Sequence, residues 1–165
     1  MFPLVGEVTP DRRPRVHLPT AAGGFAPRRD ATAYEALRDR ARELGGPAVV
    51  VHTLGTRRDF GARQAFVTNL LAAGGISAVQ EGAKVAILAS SRAGYAEHGA
   101  SAIEALRAAG VDTVLVAGRA SELGASAGAV DGEVHDGIDV VAFLSDVLDR
   151  LTPPRDAGTT TEGSR

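Results

Sequence analysis

The chain has no cysteine and no tryptophan, one methionine, two tyrosines and five phenylalanines among its 165 residues. Without thiols, a disulfide framework, a zinc-thiolate centre, an iron–sulfur cluster and a thiol nucleophile are excluded, and the composition suits a reducing cytoplasm. Aromatic residues make up 4% against 44% apolar residues overall, so the core is built from Ala, Val, Leu and Ile. That suits helices packed tightly on a sheet. Charge of one sign is also scarce: 18 basic against 20 acidic residues leave a formal net charge of −2. No basic footprint for nucleic acid results, and no nucleic-acid partner is expected. No apolar run approaches the roughly 20 residues of a membrane span. The start Met1-Phe2-Pro3-Leu4-Val5-Gly6-Glu7 lacks the basic and apolar regions of a secretory signal. A cytoplasmic location with no membrane partner is expected. The length suits one domain and excludes a second full one.

Residues 1–30 contain five of the eight prolines together with Gly23-Gly24, which predicts an extended Pro-rich arm. From Ala31 the pattern changes. Tyr34, Leu37, Ala41 and Leu44 recur at helical spacing, with Asp30 as N-cap and Gly45-Gly46 as stop. Ala48 to Thr53 is a β-branched run that predicts a strand buried on both faces. Ala62, Ala65, Phe66 and Leu70 then mark a helix closed by Gly74-Gly75, and Ile76 to Val79 a weaker strand. Val85 to Ala89 and Thr113 to Ala117 are further strands, separated by a helix carrying Ala102, Ile103, Leu106 and Ala109. A short helix of small residues over Ala120 to Ala127 and a short strand over Glu133 to His135 follow. The last helix carries Val140, Leu144, Val147, Leu148 and Leu151, with Asp139 as its cap. The stretch 152–165 is Thr, Gly and charge, which predicts a disordered tail.

Strands alternating with helices over residues 31–151 imply a doubly wound α/β domain with a mostly parallel sheet. One joint departs from the pattern. Only five residues separate Val79 from Val85, whereas a parallel crossover takes about a dozen. The expectation is that these strands pair antiparallel or that Ile76 to Val79 stays outside the sheet.

Arginines follow successive strands: Arg57 and Arg58 after the first, Arg92 after the third and Arg119 after the fourth. Ligands of open α/β sheets bind at this edge, where guanidinium groups with the Ser90 and Ser91 hydroxyls would grip a phosphate or carboxylate. The plainer alternative is that the arginines solvate the edge or meet a partner's acids. Asp131, Glu133, His135, Asp136 and Asp139 crowd one segment, but their spacing matches no metal-ligand pattern and suits helix capping, so no metal is assigned. No serine lies in a nucleophile elbow, and no catalytic residue is assigned.

Several phrases resemble a known family: Phe66-Val67-Thr68-Asn69-Leu70-Leu71-Ala72-Ala73-Gly74-Gly75-Ile76, Ala89-Ser90-Ser91, Tyr95-Ala96-Glu97-His98-Gly99 and Val116-Ala117-Gly118. They resemble the C-terminal, cobalamin-binding-like domain of the methylmalonyl-CoA mutase family, most of all that of its small, non-catalytic subunit. Phe2-Pro3 to Glu7 and Tyr34-Glu35-Ala36-Leu37-Arg38 are similar to the segment that leads into this domain, so the resemblance covers most of the chain. It implies a flavodoxin-like (Rossmann-like) sheet of strand order 2-1-3-4-5, with one crossover helix deleted at the five-residue joint. Active members hold adenosylcobalamin over the C-terminal strand ends through an Asp-x-His-x-x-Gly motif, in which the His ligates cobalt and the Asp orients it. Those three positions are Arg57, Asp59 and Ala62 here; His52 and His98 fall elsewhere. Gly55, Ser90 and Gly118 remain as vestiges of the cofactor site, while Arg92 replaces an apolar residue beside the nucleotide tail.

The expectation is that no substrate barrel accompanies this chain ahead of residue 1. The resemblance therefore implies no catalysis by the isolated chain, no bound cofactor in it, and a structural or assembly role alongside a mutase large subunit or a second copy. The alternative is a small-anion or nucleotide-binding domain that reuses the same edge through Arg57, Arg58, Ser91, Arg92 and Arg119. A missing covering helix also predicts apolar strand surface for a partner, a second copy or the arm to bury.

Overall fold

The computed structural model describes residues 28–153. In chain order it has α1 (Arg28–Glu43), β1 (Ala48–Thr53), α2 (Arg57–Ala73), β2 (Ser77–Val79), β3 (Val85–Ala89) and α3 (Arg92–Ala108). β4 (Thr113–Ala117), a 3-10 segment (Ala120–Ala129), β5 (Gly132–Val134) and α4 (Val140–Leu151) follow. The arm and tail expected for 1–30 and 152–165 fall outside the described residues, apart from their inner ends. The helix begins earlier than expected: α1 starts at Arg28, so Asp30 lies within it and is not its N-cap.

The five strands form one sheet of order β2-β1-β3-β4-β5, all parallel. This is the flavodoxin-like order. Central strands buried on both sides require continuous apolar runs, and β3 and β4 are buried at every position. Alternate side chains divide between two cores. Val49, Val51, Ile87, Leu115 and Val134 pack under α1, α2 and α4 through Leu37, Val67, Leu71, Leu144 and Leu148. Val50, Ala86, Leu88, Val114 and Val116 pack under α3 and the 3-10 segment through Tyr95, Ile103, Leu106 and Leu123. Each fully buried Val, Leu or Ile among them contributes on the order of 1.5–3 kcal/mol.

The joint between the second and third strands corrects the sequence-based expectation. β2 neither pairs antiparallel nor leaves the sheet; it pairs parallel with β1, on the side away from β3. Val79 and Ala86 both lie level with Val50, so the connection travels sideways across β1 with almost no return along it. Two strand spacings are only about 10 Å, well within reach of seven residues at roughly 3.3 Å each. The dozen-residue rule assumes a full-length strand to climb back along, and β2 has three residues.

The connection contains no helix, and beside it lies a cleft of about 420 Å³ lined by Val50, His52, Ala83, Lys84, Leu106 and Val111, among others. The apolar surface expected where a covering helix is missing takes the form of this cleft, which is only partly covered. Ala83 packs onto the Val50 core, and β2 exposes Ser77 and Ala78. Among the described residues the exposed large hydrophobic side chain is Phe66, on α2.

Two ends also differ from the sequence pattern. The stretch after β4 is a 3-10 helix interrupted at Gly124, with Leu123 as its buried side chain and Ala120 packed partly on the same core. Strand β5 lies one residue earlier than expected and leaves His135 beyond it. The Asp139 cap is present: its carboxylate accepts from the Ala142 amide at 2.9 Å.

Candidate functional site

The C-terminal ends of β1, β3 and β4 converge where the chain enters α2, α3 and the 3-10 segment. At β1 the chain turns through Gly55, whose φ of +86° favours glycine. Thr56 then caps α2. One oxygen of Asp59 accepts from the Thr56 amide at 2.9 Å and from the Thr56 hydroxyl at 2.7 Å. Its other oxygen accepts from the Ser91 hydroxyl at 3.2 Å, and Ser91 caps α3 by accepting from the Gly94 amide at 3.2 Å. One carboxylate thus ties together the first turns of two helices, where their dipoles favour negative charge. The Thr56 donors, with Ser91 and the nearby Arg58, hold the Asp59 carboxyl below the usual range. Ser90 is fully buried and donates to the Leu54 carbonyl at 2.8 Å.

One turn beyond Asp59, Arg63 leans over the end of β4. It donates to the Ala117 carbonyl at 2.9 Å and to Glu122 at 2.7 Å, and its guanidinium lies 5.3 Å from the centre of the Tyr95 ring. Tyr95 is buried, and its hydroxyl shares its single proton between the carbonyls of Leu88 (3.0 Å) and Ala117 (2.7 Å). Burial raises the Tyr95 phenol. Burial also works against ionised Glu122, but the Arg119 amide and the Arg63 guanidinium outweigh it and bring the carboxyl below its usual range. Gly118 has a φ of +124°, and a Cβ there would come within 2.6 Å of both Arg63 Nη1 and Glu122 Oε1.

The remaining opening, about 320 Å³, is lined by Arg63, Phe66, Gly118, Arg119, Glu122 and His135, among others. At its rim Glu133 accepts from the Ala120 amide at 2.8 Å and lies 3.3 Å from Arg119. His135 Nε2 lies 3.4 Å from Glu133.

No family model matches the chain. Among curated proteins it is 35% identical, over 91% of its length, to the methylmalonyl-CoA mutase small subunit of Propionibacterium freudenreichii subsp. shermanii. It is 36% identical, again over 91%, to that of Streptomyces virginiae, and 37% identical over 75% to a probable small subunit of Mycobacterium bovis. The chain belongs to the methylmalonyl-CoA mutase family. It spans about a quarter of the length of these relatives, 26%, 27% and 24% respectively.

For this mutase-family domain, the structure brings the candidate residues together unevenly. Gly55, Asp59, Ser90 and Ser91 form one hydrogen-bonded or contacting group at the β1/β3 ends. Gly118 and Arg119 lie at the β4 end beside Arg63. Arg57 and Arg58 open α2 and Arg92 opens α3, and all three are exposed. Neither His98 nor His52 joins this edge: His98 is exposed on α3 beside Glu97, and His52 lines the cleft on the sheet face. The acidic segment has ordinary structural partners: Asp131 accepts from the Val114 amide at 2.7 Å and from Arg107 at 2.5 Å.

Arg63 and Glu122 are not among the residues expected at this edge, because the loops after the strands do not contain them and Arg63 reaches the edge from within a helix. Two spacings carried the signal: Arg63 lies four residues after Asp59, on the same helix face, and Glu122 three after Arg119, as in a capping pattern.

Proposed function

We propose that this domain is a non-catalytic, cobalamin-binding-like part of a methylmalonyl-CoA mutase small subunit, located in the cytoplasm, with a structural or assembly role and a degenerate cofactor site. Its partner is the mutase large subunit or a second copy. The observation that supports this most is Asp59. The resemblance puts an axial histidine there, and the side chain present is a carboxylate whose oxygens are engaged by Thr56 and Ser91. Arg57, in place of the orienting Asp, supplies no acceptor. Where the family passes a nucleotide tail, Arg63 and Glu122 press against Gly118. These residues do not fit adenosylcobalamin, the family cofactor. Among the described residues no helix is long and apolar enough to cross a membrane. Equilibrium dialysis against hydroxocobalamin, followed by an absorption spectrum, is expected to show no stoichiometric uptake; uptake near one equivalent overturns the reading.

A second reading is supported by the placement of the arginines. Arg57, Arg58 and Arg92 occupy the first turns of α2 and α3, where a cation is disfavoured by roughly 0.3–1 kcal/mol each. Cations placed against a local cost suggest an anionic contact. In this reading the edge, with Arg119 and Ser91, takes a small anion or a nucleotide. Thermal melting across a phosphate and nucleotide series tests it: stabilisation by the anion should be lost in Arg57→Ala/Arg92→Ala and weaken as salt rises. Identical melting of parent and variant across the series removes this reading.

A further inference from the structure

Arg63 has the contacts of a bound ligand. Its guanidinium donates to a carbonyl, Ala117, at 2.9 Å and to a carboxylate, Glu122, at 2.7 Å, and lies over an aromatic ring, Tyr95, at 5.3 Å. A planar, weakly hydrated cation is recognised by this combination: two directed acceptors and a π face.

The receptor groups are held in place by other partners. Glu122 also accepts from the Arg119 amide at 2.9 Å, and the Tyr95 hydroxyl is fixed by the Leu88 and Ala117 carbonyls at 3.0 and 2.7 Å. Gly118 leaves room for the cation, since a Cβ there would lie 2.6 Å from Arg63 Nη1. The site has an entrance too. The Arg63 side chain is 32% exposed and lines the opening of about 320 Å³ at the sheet edge.

The geometry points to a guanidinium receptor at the C-terminal edge of the sheet, occupied by the chain's own Arg63 and able to bind a free alkylguanidinium ion once that side chain is removed. The inference deepens, and rests on, the reading of this crevice as one that has lost its cofactor. It assigns the crevice a different ligand chemistry and explains why Gly118 is bare without a bound nucleotide.

The test is thermal melting of the full chain carrying Arg63→Ala in 20 mM methylguanidinium chloride, an amount chosen at about four times a millimolar-range dissociation constant. Methylammonium chloride at the same concentration is the control, because it matches the charge and lacks the fork. The variant is expected to melt about 5–10 °C below the parent. Methylguanidinium should restore about 2–4 °C, methylammonium none, and neither should move the parent. Adding Glu122→Gln should abolish the restoration. An equal response to the two ions, or restoration that survives Glu122→Gln, overturns the proposal. If Arg63→Ala does not fold unaided, its refolding yield in the two salts is the readout, with the same outcomes. Hydroxocobalamin dialysis of the parent runs alongside. Uptake there overturns the lost-cofactor reading while the melting series still judges the guanidinium site; no uptake together with no restoration overturns the guanidinium site alone.

Discussion

The two hollows of this sheet are built differently. The crevice at the C-terminal edge is closed by specific side chains: Ser90 meets the Leu54 carbonyl, Tyr95 those of Leu88 and Ala117, and Arg63 again that of Ala117. The cleft over β1 has a largely apolar lining and stays open, with a five-residue connection in place of a helix. Strand ends carry carbonyls that burial would leave unpaired at about 1–3 kcal/mol each, so a crevice there demands directed partners. An apolar face demands only cover, and Ala83 with neighbouring α3 residues supplies part of it. A crevice at strand ends must be filled by groups that match each carbonyl, whereas a sheet face without a covering helix needs only a short neighbouring strand and partial apolar cover.

The largest expected difference uses two glycines with positive φ, Gly118 in the crevice at +124° and Gly82 beside the cleft at +84°. Alanine is strained at either site by roughly 1–2 kcal/mol. At Gly118 it also strikes Arg63 and Glu122, and at Gly82 it meets nothing within 4 Å. Chemical denaturation should show Gly118→Ala losing about 3 kcal/mol and Gly82→Ala about 1. Equal losses would mean that the crevice is as yielding as the cleft.

Tyr95→Phe removes one hydroxyl from two buried carbonyls and should cost about 1–2 kcal/mol by the same measurement. His52→Phe in the cleft, where the imidazole has no hydrogen-bond or ion-pair partner among the described residues, should stay within about 0.5 kcal/mol. A reversal of that order would remove the contrast between directed and generic cover. A smaller change of opposite sign is expected at the rim. Arg57→Glu puts an acid in the first turn of α2 and should stabilise by about 0.5 kcal/mol at low salt, with the gain fading as salt is added.

The smallest effect concerns pH and the cleft alone. Burial holds the His52 imidazole below its ordinary 6.5, so the unfolded chain takes up this proton first as pH falls. The contribution is full above about pH 6.5 and is lost as pH drops through the folded value. The stability difference between the parent and His52→Phe should therefore move in the variant's favour on the acid side. Asp59 lies on the other side of the comparison: its carboxyl is depressed by Thr56, so its contribution is present above the ordinary carboxylate value and lost only as pH falls through its lower folded value. Parallel pH profiles for the parent and His52→Phe between pH 5 and 8 would show that the cleft leaves this imidazole as exposed as in the unfolded chain.

Much of this protein was legible in one dimension. The runs Ala48 to Thr53, Val85 to Ala89 and Thr113 to Ala117 announce buried strands because β-branched, uninterrupted apolar stretches suit a doubly covered sheet, and the helical periodicities between them dictate parallel winding. Asp139 could be named as a cap because capping is local, decided within four residues. The family resemblance was legible for the same reason, in phrases of three to eleven residues such as Ala89-Ser90-Ser91.

Other features depended on residues far apart in the chain. The side of β1 on which β2 pairs follows from register and strand length, which five connecting residues do not encode in their composition. Arg63, Tyr95, Ala117 and Glu122 span 60 positions and meet only because α2, α3, β4 and the 3-10 segment converge at one sheet edge. The sequence by itself determined the layers, the order of elements and the absence of thiol chemistry, since those rest on composition and short-range periodicity. Only the tertiary structure decided what fills the crevice, because a side chain's partner there is set by where separate elements end in space and by the requirement that every buried carbonyl find a donor.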